Sequence, residues 1–229
     1  MRIGVITFPG SSDDGDARRA IRLAGAEPVE LWHADRDLKD VEAVIIPGGA
    51  SYGDHLRVGA IAARTPIMET VVEHAATGLP ILGIGNGFQV LCEAGLLPGA
   101  LLRNTDQGFV VAEQPLVVES SASPWLSGFE TGTEIIVPLK SGYGSYQASD
   151  DVIKELESEG RVVLRYAGDN PFGSHSRIAG ISNETGTIVG LMPHPEHAVE
   201  KGYGPDTAAG QRSGTDGLTF FQSITGALR

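Results

Sequence analysis

"ILGIGNGFQVL", residues 81–91, joins a continuous apolar run to a helical pattern through a tight turn flanked by glycines. An unbroken apolar run suits a strand covered on both faces of a parallel sheet. A sharp turn from such a strand into a helix lifts one side chain clear of the sheet edge, which is where many enzymes mount a nucleophile. The apex residue here is Gly85, which has no side chain. The stretch predicts an α/β fold and leaves open what such a turn does without a nucleophile.

Outward from this turn, β-rich runs alternate with helical patterns. Strands are expected at 2–8 ("RIGVITF"), 28–33 ("PVELWH") and 41–49 ("VEAVIIPGG"), with further strands at 161–166, 177–182 and 187–192. Helices are expected at 15–26, where Ala17, Ile21 and Ala24 fall at helical spacing, and at 55–63, 66–77, 86–94, 149–158 and 215–227. Between 107 and 140 the pattern changes to "FVVAEQPLVVE" and "EIIVPLK", which read as a small antiparallel β insertion. The alternation predicts a doubly wound, mostly parallel sheet flanked by helices, flavodoxin-like in arrangement. Without internal repeats, low-complexity tracts or linkers, residues 1–229 read as one domain.

Composition narrows the partners. A net charge of −12 argues against general affinity for nucleic acid or anionic membrane. The start "MRIGVITFPG" reads as a buried first strand rather than a signal peptide, and no apolar run nears the ~20 residues needed to span a bilayer. One cysteine, Cys92, excludes an intramolecular disulfide and fits a reducing compartment. A cytoplasmic protein is expected.

Two further stretches carry chemistry. In "GLMPHPEH" (190–197), the proline pushes His194 toward an extended conformation, so Glu196 can project on the same side. A carboxylate beside an imidazole fixes its tautomer, as it does for a general base. In "PGGASYGDHLR" (47–57), Gly48 and Gly49 can present backbone N–H groups to an oxyanion. Each stretch ends a predicted strand, where open α/β sheets bind ligands. The acidic run "SSDDGD" reads as a solvated loop with helix N-cap residues, and His197 as the exposed start of the next segment. The histidines show no His-x-x-x-His spacing, so no metal centre and no cofactor are expected. Cys92 reads as a small buried hydrophobe inside the elbow helix. Ser51, Ser141 and Ser145 read as turn or cap residues.

Together the elbow, the Gly-Gly loop and His-Pro-Glu resemble the class I glutamine amidotransferases. More narrowly, "PGGASYGD", "GNGFQVLCEAGLLPGAL", "NPFGS", "RIAGISN" and "GLMPHPEHAVE" look like the glutaminase-subunit family of the phosphoribosylformylglycinamidine synthases of purine biosynthesis. That resemblance covers essentially the whole chain. It implies hydrolysis of L-glutamine through a thioester on an elbow cysteine, with ammonia passed to a larger synthetase subunit that supplies an ATP-dependent amidation site. It implies that His194 shuttles the thiol proton, that Glu196 orients His194, and that the N–H groups of Gly49 and Asn86 hold the oxyanion.

The same resemblance marks departures. Gly85 stands where the family carries its nucleophilic cysteine, and Ala50 where it usually has Phe. Ser141 and Tyr143 stand where His or Asn and then commonly Glu occur, and Phe172 replaces a usual Asn. Covalent attack cannot occur at position 85. Three readings remain open. One is a variant, natural or engineered, whose pocket has been re-cut. Another is a catalytically silent subunit that still binds a synthetase. The third is an enzyme that uses His194 as a general base without covalent catalysis. Loss of the cysteine and phenylalanine side chains predicts an enlarged cavity bounded by Gly49, Ala50, Gly85, Asn86, Tyr143 and His194, with Phe172 and Tyr143 lining it in aromatic surface.

Overall fold

A computed structural model describes residues 1–202, 206–207, 210–211 and 214–228. In chain order these form β1 (Arg2–Thr7), α1 (Asp14–Leu23), β2 (Glu27–Trp32), β3 (Ala43–Ile46), α2 (Pro66–Ala75), β4 (Ile81–Ile84) and α3 (Asn86–Glu93). There follow β5 (Ala100–Leu102), β6 (Val110–Val118), β7 (Glu134–Ser141), β8 (Ser145–Gln147), α4 (Asp150–Ser158), β9 (Val162–Tyr166), β10 (Ile178–Ser182), β11 (Ile188–Leu191) and α5 (Leu218–Ala227). Nine of the strands make one sheet in the order β2-β1-β3-β4-β11-β10-β9-β6-β7.

The central strands β3, β4 and β11 are buried at every residue. Their unbroken apolar sequences follow from that, because helices or loops cover both faces of a parallel sheet. From β2 through β1, β3 and β4 to β11 every pairing is parallel. From β11 through β10, β9, β6 and β7 every pairing is antiparallel. The antiparallel pair expected between 107 and 140 is present, and it extends the main sheet as its far edge through the pairing of β6 with β9. The sheet is therefore mixed, with helices packed against it, as the α/β reading requires. A second, two-stranded sheet pairs β5 with β8.

One expected helix is absent. Residues 55–61 form turns and bends, Ala62–Arg64 make a single 3-10 turn, and α-helix begins only at Pro66. Tyr52, Asp54 and Leu56 adopt φ of +53°, +54° and +66°, and Gly53 and Gly59 are also positive. A right-handed helix cannot form through such a run. No helix among the described residues is long and apolar enough to cross a membrane.

Candidate active site

The ends of β1, β3, β4 and β11 bring four loops together. β1 leads through residues 8–13 into α1, β3 into the Gly48–Gly49 loop, β4 into Gly85, and β11 into His194-Pro195-Glu196. Carboxyl ends of adjacent parallel strands place ligand sites at this position. Gly85 has φ +54° and ψ −109°, a conformation that a Cβ makes costly. Its N–H donates to Leu191 O at 2.8 Å, which ties the elbow to the strand that delivers His194.

His194 is buried, and its Nδ1 lies 2.8 Å from Glu196 Oε1, a fully buried carboxylate. The backbone N–H of His194 donates to Pro138 O of β7 at 2.7 Å, so the far edge of the sheet also positions the imidazole. His194 Nε2 is buried with no hydrogen-bond partner. A Cβ on Gly85 would stand 2.8 Å from His194 Cε1 and 2.9 Å from Nε2. One on Gly48 would stand 2.5 Å from His194 Cε1 and would collide with the Asp13 carboxylate. The imidazole thus lies over two glycines whose missing side chains make room for it.

Beside it lies a cavity of about 330 Å³ whose lining includes Gly49, Ala50, Asn86, Ser141, Tyr143 and His194. Of the residues expected around an enlarged cavity, Gly85 is not part of this lining. His194 occupies the space beside it, so the vacancy expected at the apex is closed by the ring. Gly48 and Glu196 also lie outside the lining, behind the imidazole. Phe172, expected to line the pocket, is fully buried elsewhere: it meets Tyr166 edge-on at 6.0 Å and lies against the backbone of Gly144. A fully apolar ring gains more from that core position than from a wet cavity.

Hydrogen bonds brace the cavity wall. Asn86 Oδ1 accepts from Ser51 N at 3.1 Å, Asn86 Nδ2 donates to Gln89 Oε1 at 2.8 Å, and Gln89 Nε2 donates to Tyr143 O at 2.7 Å. Asn104 donates to Ser141 O at 2.7 Å and accepts from Gly144 N at 2.8 Å. Of the three candidate serines, Ser51 has a buried Oγ without a hydrogen-bond partner, whereas Ser141 and Ser145 are engaged elsewhere. Ser141 Oγ accepts from Tyr143 N at 2.9 Å, and Ser145 Oγ donates to Gly173 O at 3.0 Å. The Cys92 thiol faces Pro98 O at 3.8 Å, and burial, helped by the Glu93 charge, raises its pKa far above the usual thiol range.

Three side chains beside His194 were missed or misplaced by the sequence reading. Asp13 is buried rather than solvated, and its side chain makes no N-cap bond. Lys140 Nζ, on β7, donates to Asp13 Oδ1 at 2.7 Å. Asp13 Oδ2 stands 3.4 Å from His194 Nδ1. His197, expected to be exposed, is partly buried with Nε2 3.6 Å from Asp13 Oδ1. Burial works against ionisation of Asp13, but the pull of His197 and Lys140 prevails and holds its carboxyl well below the usual range. Attraction to Asp13 outweighs burial and raises the His197 pKa. The available signal was positional: Asp13 ends the loop after β1, at the same sheet edge as the glycine loops and His194.

The model of the CobB/CobQ-like glutamine amidotransferase domain matches residues 1–225. The chain belongs to that family. It is 62% identical over 224 residues to the phosphoribosylformylglycinamidine synthase subunit PurQ of Leifsonia xyli, covering 98% of this chain and 97% of that one. Identity to the PurQ subunit of Nocardia farcinica is 60% over 227 residues, covering 99% and 97%. A chain in the structure of PurLQS from Thermotoga maritima superposes with a TM-score of 0.87 at 44% identity, covering 100% of this chain and 99% of that one. Family membership and the α/β fold are thus shown by sequence and structure together.

Proposed function

We propose that the chain is a glutaminase-type subunit of a phosphoribosylformylglycinamidine synthase assembly that docks on a larger synthetase subunit but does not hydrolyse L-glutamine by the covalent route. Docking is supported by the near-complete coverage of PurQ relatives and of a chain in the PurLQS structure. Loss of the covalent step is carried by one observation. Gly85 occupies the elbow apex, and the His194 Nε2 that would take a thiol proton has no partner from which to take it. In the covalent reaction the thiol attacks the side-chain amide, the imidazole returns the proton to departing ammonia, and backbone N–H groups hold the oxyanion. The later roles would fall to His194, Glu196, Gly49 and Asn86, which this chain retains, while it lacks the group that begins the reaction.

The test measures ammonia release from L-glutamine by the purified chain, alone and with the large synthetase subunit of the same organism. Release at background level, with a complex visible by sedimentation velocity, is the expected result. Turnover in the ordinary enzyme range of about 1–1,000 per second overturns the catalytic half of the reading. Absence of a complex at tens of micromolar overturns the docking half.

A further inference from the structure

His194 and Glu196, the pair that glutamine hydrolysis would use, are met at the cavity by Asp13 and His197, which that reaction does not require. His194 Nδ1 lies 3.4 Å from Asp13 Oδ2 and 2.8 Å from Glu196 Oε1. His197 Nε2 lies 3.6 Å from Asp13 Oδ1 and 3.8 Å from Glu196 Oε1. Imidazoles and carboxylates therefore alternate among the four residues, with Asp13 meeting each imidazole through a different oxygen, and one donor atom from each residue lies within 4.8 Å of all the others. Bonds of about 2.0–2.2 Å in a tetrahedral zinc site place neighbouring ligand atoms about 3.3–3.6 Å apart. The four measured edges bracket that spacing.

An independent observation comes from the atoms left over. Asp13 Oδ2, Glu196 Oε2 and His197 Nε2 are buried without hydrogen-bond partners, and Asp13 and Glu196 are 2% and 0% exposed. A buried carboxylate oxygen without a donor is costly unless something positive meets it.

We propose that Asp13, His194, Glu196 and His197 form a binding site for a zinc-type divalent transition-metal ion. Two imidazoles and two carboxylates suit zinc or cobalt rather than calcium or magnesium, which prefer all-oxygen shells. Four protein donors fill a tetrahedral shell, so the site is of the closed kind that holds an ion rather than the open kind that activates water. The ion and the Lys140 ammonium compete for Asp13. Lys140 is about one-third exposed, so its flexible side chain can swing into the cavity when the ion enters. Metal on Nδ1 takes the place of the proton shared with Glu196 and leaves Nε2 as an N–H donor. In the loaded form His194 is no longer a base.

The experiment titrates the chelator-treated full chain with zinc chloride by calorimetry and with cobalt chloride by visible absorption, so it does not depend on glutamine turnover. One equivalent of each metal should bind, and cobalt should show the intense bands of a tetrahedral site. Zinc should also raise the unfolding midpoint, because an ion that binds only the folded state stabilises it. Asp13→Asn and His197→Ala should each weaken binding at least tenfold, and Lys140→Met should strengthen it about tenfold. Lys140 is partly exposed, so that variant tests the site even where the Asp13 and His197 variants do not fold. No saturable binding in the micromolar range, the pale spectrum of octahedral cobalt, or unchanged affinity in both His197→Ala and Lys140→Met overturns the proposal.

Discussion

At Gly85 two costs of a side chain coincide. The backbone sits at φ +54°, and the space a Cβ needs is within 2.9 Å of the His194 ring. Strain of the first kind is typically about 1–3 kcal/mol, and the second requires the imidazole to move. Gly85→Cys should therefore lower stability by about 1–3 kcal/mol, read as a lower unfolding midpoint. It should also place a thiol at the N-terminus of α3, where the helix dipole depresses its pKa. Alkylation of this new cysteine at neutral pH should be faster than that of a free cysteine. A stabilised variant, or one whose thiol reacts like an unperturbed one, contradicts the elbow geometry. Asp54 offers a test with a pH signature. It lines the cavity with one carboxylate oxygen unpartnered, and burial raises its pKa. A raised pKa means that the folded state holds the proton more tightly. Stability is then fully present below the ordinary carboxylate pKa and falls as pH rises through the raised one. Asp54→Asn removes that loss, and Asn tolerates the positive φ of +54° at this position. Urea unfolding should show the variant more stable than the parent at pH 7, with a smaller advantage at pH 4. An advantage equal at both pH values would assign the whole effect to the backbone.

Among the elements, legibility followed burial. β3, β4 and β11 were readable because strands covered on both faces are apolar throughout, and α3 because its start is fixed by glycine chemistry at the elbow. Residues 55–63 misled because apolar spacing there serves a turn-rich segment, where the positive φ values at Leu56 and Gly59 break the helix. The site was legible where one loop supplied both partners, as with His194 and Glu196. It was not where partners come from distant elements: Asp13 follows β1, Lys140 lies on β7, and only the folded sheet brings them to 2.7 Å. Phe172 shows the opposite error, since a loop position near the site in sequence turned inward to the core. Helix α3 carries a prediction of its own. Cys92 lies near its end with the thiol held protonated by burial and by the Glu93 charge. Iodoacetamide at pH 8 should modify it at least about tenfold more slowly than a free thiol until denaturant is added, because the thiolate is the reactive form. Rapid stoichiometric labelling of the folded chain, mapped by mass spectrometry, would show that the thiol is not shielded.

For the molecule as a whole, the question is whether the parallel half and the antiparallel half of the sheet form one cooperative unit. They share the β10–β11 pairing, and the site itself crosses the boundary. His194 on the parallel side donates its backbone N–H to Pro138 O on β7, and Lys140 on β7 reaches Asp13 after β1. Independent unfolding of either half would expose these buried charges and the apolar faces of β9 and β10, so we expect a single transition. The two tryptophans are placed to test this. Trp32 lies on β2 at one edge, and Trp125 is buried in the connection between β6 and β7, where it donates to Thr187 O at 3.2 Å, just ahead of β11 at the boundary of the two halves. Trp125→Phe leaves fluorescence reporting on the β2 edge, and Trp32→Phe leaves it reporting on the contact between the β6–β7 connection and the start of β11. In each variant the denaturant midpoint from fluorescence should coincide with that from far-ultraviolet circular dichroism, which follows the whole chain. Comparison within each variant removes the effect of the substitution on stability. Trp125→Phe forfeits a hydrogen bond worth about 1 kcal/mol and should move both midpoints down together. A fluorescence midpoint that separates from the dichroism midpoint in either variant would show that one half of the sheet melts on its own. The active-site cluster would then span two units, and the His194 position against Gly85 would depend on their docking rather than on a single folded sheet.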